Sequence, residues 1–469
     1  MDRLTPLSEA FLGAEDVDPR ASLAIGSLCI FEGPAPAFEE FLEMVAGRLP
    51  LVPRYRQKLR LAPFGLAAPA WVDDPDFDLR WHVRNTALPA PGGPEEIGRL
   101  MSRVMSRRMN RDRPLWEYWF CEGLPGGRWA VLSKLHHSLV DGVSGTDLYR
   151  LVLDPTPTPR PAEPDTWTPA AAPSTVAVTA RAAWELAATP VATARTVVGA
   201  LAAPRRLART TSETVSGLLT MASALRPVRA TSLTGPLEGS RRYTWTEVSF
   251  EDVRAVRQRC DVTVNDIALA VVSGGFRQLL LSRGEEPDAH TIRSLVPVST
   301  REPGSETIPD NRVSLMLPYL PVDLADPVER LHAVRERIRG LREHHEPEAG
   351  GSVTSAAGLA PFAPVSWGIR AGLRLPQRHV ATVTTNVPGP RTALYALGRE
   401  ALQMLPYVPI ADRVRIGVAI FSYRDTLTFG ITGDYDTAPD LQVLADGIAT
   451  SMAELVSATS PPAPRTARR

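Results

Sequence analysis

Two adjacent histidines, His136 and His137, precede Asp141 and Gly142 within the largely apolar stretch VLSKLHHSLVDGVSGTDLYRLVLD. Imidazole, with an ordinary pKa near ~6.5, is substantially neutral near pH 7, so it can take a proton from a reacting hydroxyl and hand it on. A carboxylate four residues after His137 offers two further roles, orienting the ring as in a triad or shaping a turn with the glycine beside it. Neighbouring side chains on a strand point to opposite faces, so a metal site using both histidines is hard to build. Cys29, Cys121 and Cys260 offer no zinc spacing either, and no metal is expected. The competing structural readings are a core histidine satisfied by backbone groups and an Asp-Gly pair that only reverses the chain.

The elements that must hold these groups follow from local pattern. GRWAVLSKL alternates as a strand, and Gly142 and Gly145 mark a turn into a helix, GTDLYRLVLD, whose Leu148, Leu151 and Val152 share one face. The histidines then sit where a strand ends, with only one of them facing a given cleft. A proline-dense run, DPTPTPRPAEPDTWTPAAAP, excludes helix interior and central strand and reads as a semi-rigid, extended linker. Residues 174–225 read as connecting helices broken at Pro190 and Pro204. A second folded part opens with a strand RYTWTEVSF and a helix DVRAVRQRC, then an apolar helix after TVND. Strands TIRSLVPVST, HVATVTTNV, RVRIGVAIFSY and TLTFGITGD follow, and the tail SPPAPRTARR reads as disordered.

At 469 residues the chain exceeds what one core supports, which favours two domains. Lys+Arg and Asp+Glu both total 52, leaving no basic field to attract nucleic acid. Three well-separated cysteines fit reduced thiols, and Asp2, Glu9 and Glu15 stand where a signal peptide needs an apolar run, so a cytoplasmic protein is expected. No spanning helix is expected: the most apolar long segment, 174–204, is interrupted by Arg181, Glu185, Pro190 and Arg195.

The pattern HHxxxDG resembles the active-site signature of the coenzyme A-dependent acyltransferase superfamily related to chloramphenicol acetyltransferase, shared also by peptide-synthetase condensation domains. Further segments narrow the resemblance: LTPLSEAFLGAE, WVDDPDFDLRWHVR, RPLWEYWFCEGL, VNDIALAVVSG, LVPVSTR and TNVPGPRTALYALG. In order along the chain they are similar to the bacterial wax ester synthase/diacylglycerol acyltransferase family. The implied fold is α/β, two chloramphenicol acetyltransferase-like domains with mixed sheets and flanking helices and an active-site channel at their interface. Residues 1–154 would form the first domain, 155–230 the linker and connecting helices, 231–458 the second domain and 459–469 the tail.

The resemblance implies His137 as the base. His136 points into the domain to support the turn, and Asp141 is structural, with Arg301 as its ion-pair partner. Asn265 would donate to the acyl carbonyl or orient the acceptor; Asp266 would be the N-cap of the apolar helix. Gly142, Arg301 and Asn386 are assigned to substrate contact, Pro388, Gly389 and Pro390 to a loop near the coenzyme A channel, and the PLW of residues 114–116 to packing. No GxSxG elbow is present, which favours direct transfer over an acyl-enzyme. The implied substrates are acyl-CoA, itself a substrate and not a cofactor, with diacylglycerol or a long-chain alcohol as acceptor; no cofactor is expected. The apolar, arginine-bearing region 174–225 is expected to attach the protein peripherally to a membrane or lipid-droplet surface. Two alternatives stay open: a carrier-dependent, condensation-type acyltransferase, and a lipid-surface binding protein of the same fold without catalysis.

Overall fold

The computed structural model describes residues 4, 6–61, 68–139, 151–172, 174, 180, 184, 228–299, 313–343 and 377–460. The first half runs α1 (Pro6–Val17), β1 (Ala24–Phe31), α2 (Phe38–Arg48), β2 (Gln57–Arg60), β3 (Ala70–Asp73), α3 (Leu79–His82), β4 (Val83–Ala87), α4 (Pro94–Met105), β5 (Trp116–Glu122) and β6 (Trp129–His136). Helix α4 shows why such segments fold as they do. Pro94 opens it, Glu96 closes back on the Gly93 amide at 2.8 Å, and Ile97, Leu100, Met101 and Val104 make one buried stripe at helical spacing. Strand β6 is covered on both faces, with only Ser133 less than fully buried, so it is central rather than half-solvated. Its register with β1 runs from Ala24 opposite His136 to Phe31 opposite Trp129, where Phe31 and Trp129 stack at 4.4 Å.

The second half runs β7 (Arg241–Ser249), α5 (Phe250–Cys260), α6 (Val264–Ser282), β8 (Ile292–Ser299), β9 (Val313–Met316), β10 (Tyr319–Leu320), α7 (Pro327–Glu343), β11 (Thr382–Val387), β12 (Tyr395–Ala396), β13 (Arg399–Tyr407), β14 (Ile416–Tyr423), β15 (Thr426–Asp434) and α8 (Leu441–Thr459). Its sheet has the order β10-β8-β11-β14-β15-β7, with β9 also on β8 and with β11 parallel to both its neighbours. Helices α6, α7 and α8 supply apolar side chains to the core over this sheet. The two mixed sheets with flanking helices are the architecture expected from the sequence.

Three expectations meet corrections, and a fourth, the absence of a spanning helix, meets a candidate whose burial explains it. The first sheet, β12-β13-β1-β6-β5-β4, is not built from residues 1–154 alone: β13 pairs with β1 along Gly26 to Phe31. Local pattern cannot foresee this, because β13 reads as a strand whichever sheet receives it. The expected helix 145–154 does not reach its end. Leu151 to Asp154 form a turn and a bridge to Tyr395, where Asp154 exchanges both backbone hydrogen bonds with that residue. Asp266 is not the N-cap of α6 but its third residue. Thr263 is the cap, its hydroxyl accepting from the Asp266 amide at 3.2 Å while Asp266 accepts from the Thr263 amide at 2.9 Å. Finally, α6 has the length and apolarity of a membrane span, with mean hydropathy 1.2. Twelve of its 19 residues are fully buried against the second core, which accounts for its apolarity.

The linker has no helix or strand from Pro155 to Ala172, and it is strapped to the first domain. The Glu163 amide donates to Gly47 O, Arg56 pairs with Asp165 and stacks over Trp167, and the Ala170 amide donates to Asp73. Of 174–225, only residues 174, 180 and 184 are described.

Candidate active site

Strand β6 ends on His136, and His137 begins a single 3-10 turn, His137–Leu139. Divergence by strand alternation, expected from the sequence, does not apply, because His137 leaves the strand instead of taking its opposite face. His136 is 1% exposed. Its Nδ1 accepts from the Ser138 amide at 3.2 Å and lies 2.7 Å from Ser138 Oγ, which places the ring proton on Nε2. Nε2 faces Glu15 Oε1 at 3.4 Å, long for a hydrogen bond, and is otherwise without a partner.

Glu15 is nearly as buried and fully engaged. Its Oε1 accepts from the Leu23 amide at 2.8 Å and its Oε2 from Arg111 Nη2 at 3.0 Å. Burial alone would raise its pKa, but the His136 ring, the Leu23 amide and the Arg111 guanidinium outweigh burial and hold it at about 2. His137 is half-buried. Its backbone amide donates to Leu23 O at 3.3 Å, and its ring stacks on Phe11 with centroids 4.0 Å apart and planes 21° from parallel. An imidazole held in this way, and not fully enclosed, can exchange a proton with a bound hydroxyl.

Beneath the turn, Lys134 shares the face of β6 that carries His136 and caps the end of α4, its ammonium donating to the carbonyls of Val104, at 2.8 Å, and Arg107. Desolvation pulls its pKa down to about 8 despite Glu117 and Glu15 nearby. The PLW segment is packing, as expected. Trp116 is completely buried between Tyr55 and His82, and Leu115 O accepts from the His136 amide at 3.0 Å.

In the second half, two expected residues come together. Asn386 at the end of β11 donates from Nδ2 to Asn265 Oδ1, in the first turn of α6, at 3.2 Å. With that oxygen engaged, the Asn265 amide NH2 is oriented to donate elsewhere. The loop after β11 is anchored where the Gly389 amide donates to Ser422 Oγ at 3.0 Å. Asp141, Gly142 and Arg301 lie outside the described residues. Glu15, Phe11, Arg111 and Ser138 carry no site signal in the sequence, although the first two lie within LTPLSEAFLGAE, one of the segments of the family resemblance. A cavity of about 380 Å³ between the start of β8, β10 and α7 is lined by His290, Arg293, Tyr319 and Arg337, away from the histidine turn.

The family model described as the wax ester synthase/diacylglycerol acyltransferase catalytic domain matches residues 4–268, and that of the family's C-terminal domain matches 310–456. The chain belongs to this family. A Mycobacterium tuberculosis relative named probable diacylglycerol O-acyltransferase tgs1 is 43% identical over 457 residues, covering 97% of this chain and 96% of its own. The wax ester synthase/diacylglycerol acyltransferase of Marinobacter aquaeolei superposes with a TM-score of 0.69 at 25% identity, over 98% of this chain and 100% of that one. The first condensation domain of the CDA synthetase has the same fold, with a TM-score of 0.56 at 17% identity over 97% and 96% of the two chains. Among the described residues, the histidine turn and the Asn265–Asn386 pair hold the site residues expected from the sequence.

Proposed function

We propose that the protein transfers a long-chain acyl group from acyl-CoA to diacylglycerol, with long-chain alcohols as further acceptors. His137 takes the acceptor's hydroxyl proton as oxygen attacks the thioester carbon. The new C–O bond gives a tetrahedral oxyanion, which collapses with cleavage of the C–S bond, and the proton passes from the imidazolium to the sulfur of coenzyme A. The Asn265 amide donates to the oxyanion. By the family resemblance Asp141, Gly142 and Arg301 belong to the same site, and Asn386 orients Asn265 through the 3.2 Å hydrogen bond between their amides. The lipid acceptor reaches the protein at a membrane or droplet surface on the cytoplasmic side, through 174–225.

The observation that carries this reading is the division of labour in the histidine pair: His136 enclosed and engaged by Ser138 and Glu15, His137 half-buried on the turn. The names of the relatives point to the same acceptor class. Coenzyme A release measured over an acceptor panel tests it. Diacylglycerol and long-chain alcohols should be acylated and glycerol phosphate should not, and His137→Ala should lower turnover about 10²- to 10⁴-fold. Transfer to glycerol phosphate with none to diacylglycerol, or dependence on a carrier-bound acyl donor, would overturn the substrate assignment.

A further inference from the structure

Helix α1 has no part in the chemistry above, yet it touches both histidines. Phe11 lies flat on the His137 ring at 4.0 Å, and one turn later Glu15 faces His136 Nε2 at 3.4 Å. Glu15 also reaches the backbone of the turn through one intermediary, because Leu23 donates to Glu15 Oε1 and accepts from the His137 amide. The helix is itself pinned by one guanidinium. Arg111 donates to Leu12 O at 3.0 Å, to Glu15 at 3.0 Å and to Asp16 at 2.6 Å. These contacts enclose the reacting imidazole from the ring face and from the backbone side together.

We propose that α1 is a clamp for the catalytic base, with Phe11 and Glu15 as positioning residues: Phe11 sets the plane of the His137 ring, and Glu15 sets the 3-10 turn through Leu23 and the His136 ring. The inference rests on the reading of His137 as base. A stacked ring restricts rotation of the imidazole and gives a π face to the positive charge that develops as the proton arrives. The interaction is therefore stronger in the transition state than in the resting enzyme, and its loss appears in kcat rather than KM. Glu15 acts without touching substrate. It holds His136 as the Nε2–H tautomer, leaving Nδ1 to accept the Ser138 amide that closes the turn.

Steady-state kinetics of the full-length enzyme with a long-chain acyl-CoA and a diacylglycerol test the clamp. Phe11→Leu should lower kcat about 2- to 30-fold with KM for acyl-CoA nearly unchanged, and Phe11→Trp should restore most of the loss. Glu15→Gln, which keeps an oxygen for the Leu23 amide, should retain more turnover than Glu15→Ala. Should the leucine variant fold poorly, nitrogen NMR of the parent protein decides: His136 should show a protonated Nε2 and an unprotonated Nδ1. Unchanged kcat in Phe11→Leu while His137→Ala is inactive, or the opposite His136 tautomer, overturns the clamp and leaves the base intact. Near-parental turnover in His137→Ala would instead remove the base assignment itself.

Discussion

At the scale of single residues, Glu15 makes the fold of the histidine turn sensitive to acid. Its carboxyl has a pKa of about 2 in the folded chain against 4.5 ordinarily. A depressed carboxyl pKa contributes stability that is complete above the unfolded value and is lost as pH falls through the folded one. The window is therefore from about pH 4.5 down to about 2, and the full contribution is of order 3 kcal/mol by linkage. Melting temperature followed across that window should fall for the parent protein. Glu15→Gln should begin lower at pH 7 and show a flatter acid limb; an identical acid limb in the variant would assign the sensitivity to other carboxylates. The same residue shows how the sequence reading fell short. In the sequence Glu15 reads only as a charge that spoils a signal peptide, since nothing local reveals that a residue 121 positions before His136 will face it.

At the scale of elements, the end of α2 and the start of the linker are joined by a buried ion pair. Arg48, the last residue of α2, donates to Asp154 Oδ2 at 2.5 Å and to Leu151 O at 3.3 Å, with both side chains at most 2% exposed. Removing one partner of such a pair leaves the other charged in low dielectric, which costs about 3–5 kcal/mol, whereas replacing both by apolar groups of similar volume is often neutral. Asp154→Ala should therefore lower the melting temperature strongly, and Arg48→Met combined with Asp154→Leu should recover most of it. A double variant no more stable than the single one would mean that the bridge to Tyr395 needs the aspartate for its own geometry. The turn at Leu151 to Asp154 was expected as helix because its apolar spacing fits one. Pairing with Tyr395 and with Arg48 overrides that local preference.

At the scale of the molecule, the two sheets meet where β13 crosses β15. A Cβ on Gly430 would lie 1.9 Å from Pro406 O, the carbonyl that also accepts from the Tyr243 hydroxyl at 2.8 Å. On the other side of the contact, a Cβ on Gly98 of α4 would lie 2.8 Å from Tyr243 O. These are backbone atoms with little freedom to retreat, so Gly430→Ala should destabilise by about 1–3 kcal/mol through overpacking. Gly239→Ala, with open space around it, should change nothing. Calorimetry of the two variants checks this, and equal melting temperatures would mean that the sheets separate at no cost.

The sequence by itself determined the family, the fold class and most of the parts. Period-2 and helical patterns located β6, β7, α5, α6, β14 and β15 within a few residues, the spacing of His136, His137, Asp141 and Gly142 carried the superfamily, and the further segments from LTPLSEAFLGAE to TNVPGPRTALYALG narrowed it to the family. Such signals are legible because burial of one face repeats at the period of the element that carries it. Only the tertiary structure decided which sheet β13 joins, that Thr263 and not Asp266 caps α6, that Asn265 meets Asn386 and that α1 closes on the histidines. Each of these is a pairing between groups remote in the chain or a choice among adjacent polar residues. The physical reason is the same in all four: a hydrogen-bond donor or an apolar ring is equally satisfied by many partners, and which one it meets is settled by the packing of the whole chain.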